Sequence, residues 1–223
     1  MVIPMINGGI AFQIPAGGIA KRFGINSSLG SDFTLKTRSN FLVGTDVEFI
    51  FGNNLNEKDI FKNILTDEGY LINKDGEYAN VILTERGFYF GGKIGKQFPI
   101  LNKNLNSGVF FTLGSGLLQY KTRIEVESNN APNILTDYAK GYDRLTNGLA
   151  FKEFIGYRFL SSKQTINFYF GFEFYQAFTK NRRSFDFTTM QKDENLYKDY
   201  LYSFRFGWII PIYKRVPQEF YID

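Results

Sequence analysis

Apolar and polar residues alternate with a period of two along most of this chain. Between residues 165 and 178, for example, Phe168, Phe170, Phe172 and Phe174 share one face, while most of the intervening positions are small, polar or tyrosine. Such alternation indicates strands with one apolar and one polar face. It predicts eight strands, over residues 6–14, 27–36, 41–51, 81–96, 108–123, 148–160, 165–178 and 197–212.

The connections between the predicted strands alternate in length. Residues 37–40, 99–107 and 161–164 form the short links, and residues 52–80, 124–147 and 179–196 form the long loops. Outer-membrane barrels have short turns on the periplasmic rim and long loops on the outside rim. With a periplasmic N-terminus, every long loop falls on the outside. The sequence therefore predicts a single domain over residues 1–223: an all-β, eight-stranded antiparallel up-and-down transmembrane β-barrel with short periplasmic turns and long extracellular loops.

The apolar face of each predicted strand carries large side chains, and the opposite face carries glycine and charge. In the third strand, Phe41, Val47 and Phe49 oppose Asp46 and Glu48. An eight-stranded barrel is just wide enough to be filled by side chains, so several phenylalanines per strand would overfill it. The same residues facing water would form a large exposed apolar patch, and lipid removes that conflict. The alternative is a soluble sandwich or lipocalin-like barrel with the phenylalanine face buried.

Composition supports a strand-rich fold and excludes several chemistries. The 223 residues include 25 Phe and 14 Tyr, which favour strands. Mean hydropathy is −0.22, but lipid-facing and lumen-facing residues cancel in that average for a barrel. The chain has no histidine and no cysteine, which excludes Ser–His, Asp–His and thiol mechanisms. No spacing points to another catalytic site, so we expect no enzyme activity, no cofactor and no metal site.

The polar faces of the predicted strands bring ten charged residues, five acidic and five basic, into the lumen. Because unpaired charges in so narrow a barrel are costly, we expect a mutually satisfied ion-pair network that plugs the barrel. A proton or ion path is the less favoured interpretation. The ten residues are Asp32, Lys36, Asp46, Glu48, Glu85, Lys93, Lys152, Arg158, Glu173 and Arg205.

A second set of charged residues, all basic, is predicted at the outside rim. Guanidinium groups bind phosphate bidentately, so this set is a candidate site for lipid A phosphates or an acidic partner, in a chain of net charge +4. The alternative is that the arginines fix the loops internally through Asp137, Asp143 and Asp186. The basic residues are Lys21, Arg22, Arg144, Lys180, Arg182 and Arg183.

Three other segments carry smaller predictions. Residues 57–65 show helical spacing of apolar residues, with Asn56 as a cap, and predict a short helix in the long loop. Residues 1–9 lack the basic and apolar regions of a signal peptide, as both a mature outer-membrane protein and a cytoplasmic protein would. Residues 214–223 form a polar tail that could contact a periplasmic partner.

Several segments resemble a family of small barrels in the Bacteroidota outer membrane. The most specific is Lys140–Gly148 (KGYDRLTNG), and the others are residues 19–24, 85–88, 179–183 and 207–213. The similarity runs along most of the chain. The family is similar to accessory barrels of the type 9 secretion and gliding apparatus, of the PorD type. The resemblance implies an integral bacterial outer-membrane protein that acts as a structural subunit of a secretion translocon and carries no catalytic residues.

Three functions are open from the sequence. The first is a non-enzymatic outer-membrane barrel that is a structural or accessory subunit of an envelope assembly, in particular the type 9 protein secretion translocon. The second is a stand-alone barrel that binds lipopolysaccharide or stabilises the membrane, and the third is a soluble lipocalin-like carrier. The expected partners are outer-membrane lipid, lipopolysaccharide and other envelope or secretion-system proteins, with no nucleic acid. Eight strands leave little lumen for a transport pore.

Overall fold

Eight strands make up most of the molecule. The structure, a computed structural model, describes residues 2–57, 59–100, 106–127, 130–161 and 167–212. The strands are β1 (Ile3–Gly17), β2 (Asn26–Lys36), β3 (Phe41–Gly52), β4 (Val81–Phe98), β5 (Gly108–Val126), β6 (Thr146–Leu160), β7 (Asn167–Asn181) and β8 (Leu196–Pro211). Short 3-10 helices lie at Ile19–Lys21, Pro132–Ile134 and Tyr138–Gly141. No helix in the described ranges has the length and apolar character needed to cross a membrane.

The strands close into a barrel in chain order. Each strand pairs antiparallel with the next, and β8 returns to pair with β1. At the closure, Gly9 of β1 lies opposite Gly30 of β2 on one side and Gly207 of β8 on the other. Closure leaves no open sheet edge, which is the condition for a sheet to span a bilayer. The eight-stranded up-and-down barrel predicted from the alternation is confirmed.

Most of the strands extend beyond the ends that the alternation predicted. β1 extends beyond residues 6–14 at both ends, since Ile3 pairs with Lys36 and Gly17 pairs with Asp199. A strand ends where its backbone loses its partners, and side-chain alternation alone does not mark that point. Residues 165 and 166 of the predicted seventh strand, and the polar tail 214–223, lie outside the described residues.

Large apolar side chains point away from the barrel axis on every strand and form a belt, which we name the outer wall. On β7 and β8 the wall is aromatic: the rings of Phe172 and Phe204 pack edge to face with centroids 5.4 Å apart. The outward direction of the phenylalanine face is thus confirmed. The exposed side chains of the wall include Phe12, Leu29, Phe49, Phe90, Leu113, Ile155, Phe172 and Trp208.

The two rims of the barrel differ in their connections. On the turn rim the described connecting residues are 37–40, 99–100, 106–107 and 161, and on the loop rim they are 18–25, 53–57, 59–80, 127, 130–145 and 182–195. The three long loops all fall on one rim, as predicted. The first connection of the loop rim, residues 18–25, is also short, because the chain leaves β1 through a single 3-10 turn.

The interior is filled by two apolar clusters with a charged layer between them, and a third cluster lies above them. The turn-side core consists of Ile3, Met5, Leu42, Phe110, Phe154, Leu160, Tyr169 and Ile209. The loop-side core consists of Ile19, Phe23, Ile50, Tyr89, Leu118, Tyr120, Ala150, Tyr175, Ala177 and Leu201. Inward glycines make room for these rings: a Cβ at Gly91 would collide with the hydroxyl of Tyr89.

The long loops carry an apolar cluster of their own, which we name the cap. Its buried members are Ile60, Phe61, Leu71, Val126, Ala131, Ile134 and Tyr142. The predicted helix over residues 57–65 is wrong for the described part of that range, which forms turns over residues 60–64. Asn56 does not cap a helix but donates its side-chain amide to Ala20 O at 2.7 Å. Packing of Ile60 and Phe61 into the cap accounts for the apolar spacing that suggested a helix.

Candidate functional site

Seven charged side chains meet in the middle of the lumen, and we name them the lumen network. Lys93 Nζ lies 2.8 Å from Asp32 Oδ1 and 2.7 Å from Asp46 Oδ1. Asp46 also faces Lys152, whose Nζ lies 3.2 Å from Asp46 Oδ2. The complete set is Asp32, Asp46, Glu48, Lys93, Lys152, Glu173 and Arg205.

Lys152 and Arg205 join the remaining carboxylates. Lys152 Nζ lies 3.0 Å from Glu173 Oε2 and also pairs with Glu48. Arg205 pairs with both Glu48 and Glu173, and its Nη2 donates to Ser28 Oγ at 3.0 Å. Each basic group of the network therefore contacts at least two carboxylates. Ion pairs of this kind offset part of the desolvation cost of burial, which a charge without an ionic partner bears in full.

The lumen network leaves almost no free volume. The cavity beside it is about 30 Å³ and is lined by Asp32, Arg158 and Tyr169 among others. That volume suits a water molecule or two and is too small for a lipid or another organic ligand. Over the described residues, the middle of the barrel is thus a plug made of ion pairs.

Two of the predicted lumen residues lie nearer the turn rim and do not join the network. Lys36 donates to Asn106 Oδ1 at 3.1 Å. The guanidinium of Arg158 donates to Gln97 Oε1 at 3.0 Å and lies over the ring of Phe110 at 4.5 Å. Both side chains point inward as the alternation predicted, but at another depth along the barrel.

Glu85 is the third predicted lumen residue outside the network, and it lies in a second polar layer toward the loop rim. It accepts a hydrogen bond from Asn26 Nδ2 at 2.8 Å. The same layer contains Asp199, which accepts hydrogen bonds from Tyr120 Oη at 2.7 Å and Thr179 Oγ1 at 2.5 Å. Asp199 was not among the lumen residues predicted from the sequence, although it shares the inward-facing parity of Arg205.

Arg144 ties three loops of the cap together. It belongs to loop 127–145, its Nε lies 2.8 Å from Asp186 Oδ2 in loop 182–195, and its Nη1 pairs with Glu57 in loop 53–80. Its backbone takes a φ of 47°, in the left-handed region that is uncommon outside glycine. Its side chain is only 12% exposed. This arginine acts as an internal clamp and offers little surface to an external phosphate.

Aromatic side chains complete the cap around this clamp. The ring centroid of Tyr142 lies 5.1 Å from that of Phe61 and 5.3 Å from that of Phe187. The hydroxyl of Thr188 donates to Ile60 O at 2.7 Å. The long loops thus form a packed lid over the loop-side core, joined by aromatic contacts and by polar contacts between loops.

Two more of the predicted rim residues are also held internally. Arg183 Nε donates to Asp143 Oδ1 at 2.7 Å, and this hydrogen bond raises the pKa of the arginine. Arg22 Nη1 donates to Thr146 Oγ1 at 3.0 Å, and its guanidinium lies 5.3 Å from the ring centroid of Tyr120. Burial lowers the pKa of Arg22. For Arg144 and Arg183 the loop-fixing alternative describes their contacts, through Asp186 and Asp143.

The remaining rim residues face outward. Lys21 and Arg182 are exposed, and Lys180 is partly exposed at the end of β7. Arg182 Nε donates to Asn147 Oδ1 at 2.7 Å. Asp137 does not bind an arginine but pairs with Lys140 at 2.6 Å. The predicted basic cluster is therefore divided into an internal part and an external part.

One candidate functional residue, Glu153, was not predicted from the sequence at all. Glu153 is the central residue of the fifteen-residue strand β6, and it points outward with Phe151 and Ile155, which are exposed on the outer wall. Parity could have found it, since the two apolar neighbours at i−2 and i+2 place it on the lipid-facing side.

A closed eight-stranded antiparallel barrel with an apolar outer wall, a plugged lumen and long loops on one rim is a transmembrane β-barrel. Only such a sheet satisfies all of its backbone hydrogen bonds while presenting apolar side chains to lipid. The class follows from the barrel's own geometry.

Solved structures with a similar arrangement include two bacterial proteins. Neisserial surface protein A (NspA) has a TM-score of 0.43 and 8% identity, over 92% of this chain and 96% of that one. Ail, the attachment invasion locus protein of Yersinia pestis, has a TM-score of 0.42 and 8% identity, over 93% and 98%. Ail in complex with the heparin analogue sucrose octasulfate gives a TM-score of 0.39 and 10% identity, over 94% and 99%. No family model matches the chain, and no curated protein matches it.

Proposed function

We propose that this chain is an integral protein of the bacterial outer membrane that serves as a non-enzymatic structural or accessory subunit of an envelope assembly. The observation that carries the proposal is the ion-paired plug, in which Lys152 contacts three carboxylates and the adjacent cavity measures about 30 Å³. A barrel filled in this way has no lumen to conduct or carry anything. Its available surfaces are the outer wall and the two rims, which are surfaces for lipid and protein.

The outer membrane is the proposed location because of the form of the fold. Bacterial outer membranes hold closed antiparallel barrels with long loops on the outside rim. The exposed apolar side chains on all eight strands, from Phe12 on β1 to Trp208 on β8, form far more apolar surface than a soluble monomer exposes. The plugged lumen also argues against the lipocalin-like carrier, which requires an interior cavity for its ligand.

The type 9 secretion translocon is our proposal for the particular assembly. It rests on the resemblance of the segment Lys140–Gly148 to accessory barrels of that apparatus. Within this segment Tyr142, Asp143 and Arg144 make the contacts that hold the cap. A shared segment of this kind would give related barrels the same rigid outer face.

Co-purification from native membranes tests the proposal. An affinity-tagged chain is extracted with a mild detergent, and the proteins recovered with it are identified by mass spectrometry. We expect other envelope proteins in fixed ratio, with type 9 secretion components among them. Recovery as a lone barrel would contradict the structural role, and a stable complex without secretion components would contradict the particular assembly.

A lipopolysaccharide-binding barrel is the second candidate, because outward basic residues gather at the loop rim. Arg86 of β4 lies directly opposite Lys121 of β5 in the register, and Lys180, Arg182 and Lys198 lie on the far side of the rim. Phosphate groups of an outer leaflet would lie at this height. The candidate set thus moves away from Arg144 and Arg183, whose side chains are engaged in the cap.

Lipid A binding by a matched pair of variants tests this second candidate. Replacing Lys180, Arg182 and Lys198 with Ala is expected to weaken binding, whereas Lys96→Ala at the turn rim is expected to leave it unchanged. Lys96 also points outward and lies 4.8 Å from the ring centroid of Phe41. Equal binding by both variants would exclude the loop-rim site. Heat-modifiable mobility on SDS gels verifies that each variant is folded.

A further inference from the structure

Glu153 places a carboxylate in the middle of the lipid-facing wall. β6 runs from the loop rim at Thr146 to the turn rim at Leu160, so its central residue lies at mid-depth. The other outward acidic residue on a strand, Glu125, lies at the end of β5 near the loop rim and pairs with Arg123. Among the described strands, Glu153 is thus the one acidic side chain at the centre of the outer wall.

The surroundings of Glu153 within the barrel are apolar. Its cross-strand neighbours are Leu113 of β5 and Phe174 of β7, and its neighbours along β6 on the same face are Phe151 and Ile155. The described residues include no hydrogen-bond donor and no cation in contact with its carboxylate. Lys152, the one lysine of β6, does not contact this carboxylate, since it points into the lumen.

Gaps between the outward side chains leave open space beside Glu153. An open groove of about 650 Å³ runs across the outward faces of neighbouring strands, with Glu153 in its lining. The stacked rings of Phe174 and Tyr202, with centroids 4.8 Å apart, flank it on one side. The other outward residues that line the groove include Phe12, Ile14, Phe111, Ile155, Phe172 and Phe204.

An ionisable side chain at mid-depth in a membrane is costly and as a rule has a partner. We propose that this groove is a lateral docking site for a transmembrane segment of a second protein, which lays an apolar face in the groove and brings a lysine or arginine to Glu153. The inference deepens the proposed function and rests on it, because it names the wall through which the barrel joins an assembly. Phenylalanine and isoleucine side chains in the groove pack against the segment, and the carboxylate of Glu153 fixes the position of the segment along the groove.

Charge complementarity selects this occupant over a second copy of the chain. The outward basic residues of the barrel lie near the rims, with Lys96 close to the turn rim and Lys121 and Lys198 close to the loop rim. None of these described residues lies at the depth of Glu153. A symmetric dimer through the groove would instead bring two carboxylates together in lipid.

Photocrosslinking in native membranes tests the site directly. A photoreactive amino acid replaces Ile155, which is 55% exposed on the same face. We expect a crosslinked product in which the attached peptide comes from a membrane-spanning segment that contains Lys or Arg. Glu153→Leu is expected to lower the yield roughly threefold to thirtyfold, the range for one polar contact in a membrane, and Glu153→Asp is expected to retain most of it.

A relocated carboxylate is the matched control. The double variant Glu153→Leu with Leu29→Glu moves the acid to β2, on the opposite wall, and is not expected to restore the yield. An unchanged yield in Glu153→Leu, crosslinks to lipid alone, or a product of twice the 25.7 kDa mass would each overturn the proposal. If envelope proteins still co-purify with Glu153→Leu in full amount, the docking site is wrong and the proposed function stands.

A defined probe keeps the test independent of the native partner. The purified barrel is placed in phosphatidylcholine vesicles with a leucine-rich peptide of about 20 residues, carrying either lysine or leucine at its centre. Energy transfer between labels reports association. We expect the lysine peptide to associate more with the natural chain and to lose this advantage with Glu153→Leu. Equal association of the two peptides would contradict the proposal.

Discussion

Lys152 and Glu153 are neighbours in the chain and lie in opposite environments. Lys152 points into the lumen and contacts Asp46, Glu48 and Glu173. Glu153 points to the outer wall, where its neighbours across the sheet are Leu113 and Phe174. In the lumen, Lys152 is paired with carboxylates of the barrel itself. In the middle of the outer wall, the described residues leave the carboxylate of Glu153 without a partner.

The difference between the two faces separates what a charge does for folding from what it does for assembly. A buried network contributes little net stability compared with an apolar core, but removal of one member leaves others unpaired. A charge on the lipid face lowers the stability of the lone barrel, and it contributes favourably to the free energy only when a partner binds. Substitution of Lys152 should therefore lower the free energy of unfolding, and substitution of Glu153 should raise it.

Lys152→Met tests the inner half of the comparison and has the largest expected effect. The substitution leaves three carboxylates close together without their shared cation, and we expect the free energy of unfolding to fall by about 3–5 kcal/mol. Urea unfolding in lipid vesicles, followed by the fluorescence of Trp208, the single tryptophan of the chain, measures the change.

Lys36→Met is the matched control for that variant. Lys36 also points into the lumen, is 5% exposed and donates to an amide oxygen rather than to a carboxylate. We expect a smaller loss of about 2 kcal/mol, the usual value of a hydrogen bond with one charged partner. Equal losses for the two lysines would mean that the network is no more than a set of independent contacts.

The barrel itself was predictable from the sequence because a period of two assigns each strand residue to a face. That rule placed Phe172 outward and Arg205 inward without any structure. It also placed Tyr89 and Tyr175 inward, but it did not predict how they pack in the loop-side core, because parity gives a direction and not the space available. Inward glycines such as Gly91 make that space only once the neighbouring strand is in register.

The candidate site was less predictable because it depends on depth as well as direction. Lys36, Glu85 and Arg158 point inward with the others, but strand stagger places them away from the lumen network. The role of Arg144 required three loops to meet, and no local pattern reports that. Glu153 differs, since the alternation of Phe151 and Ile155 around it would have revealed an outward acid.

Arg144→Met tests whether the loop rim is as self-sufficient as the lumen. It removes the contacts to Glu57 and Asp186, and we expect the cap to open locally at a cost of about 2 kcal/mol. Hydrogen exchange of the loops 53–80 and 182–195 measures this opening. Arg182→Met, at an exposed position of the same rim, is expected to leave exchange unchanged. If both variants exchange like the natural chain, the clamp does not hold the cap.

Glu153→Leu tests the outer half of the comparison on the isolated barrel. We expect a gain of about 1 kcal/mol in the free energy of unfolding in vesicles, because a carboxylate on the lipid face is mildly destabilising. The same fluorescence measurement as for Lys152→Met applies, so the two neighbours can be compared directly. A loss of stability would show that Glu153 already has a stabilising contact in the lone barrel.

The smallest expected effect concerns Asp193 at the loop rim, where a charged side chain has local partners and remains in contact with water. Burial alone would raise its pKa, but hydrogen bonds from the Tyr197 hydroxyl and from Asn195 lower it below the ordinary 3.8. A carboxyl group whose pKa is lower in the folded protein stabilises the fold at pH values above its ordinary pKa. That stabilisation is lost as the pH falls through the pKa of the folded state. We therefore expect loop 182–195 to lose protection against exchange, measured relative to the intrinsic exchange rate, below about pH 4, and Asp193→Asn to remove that pH dependence. Glu194→Gln, at an exposed neighbouring position, should retain it, and loss of the dependence in both variants would assign the effect to the general charge of the loop.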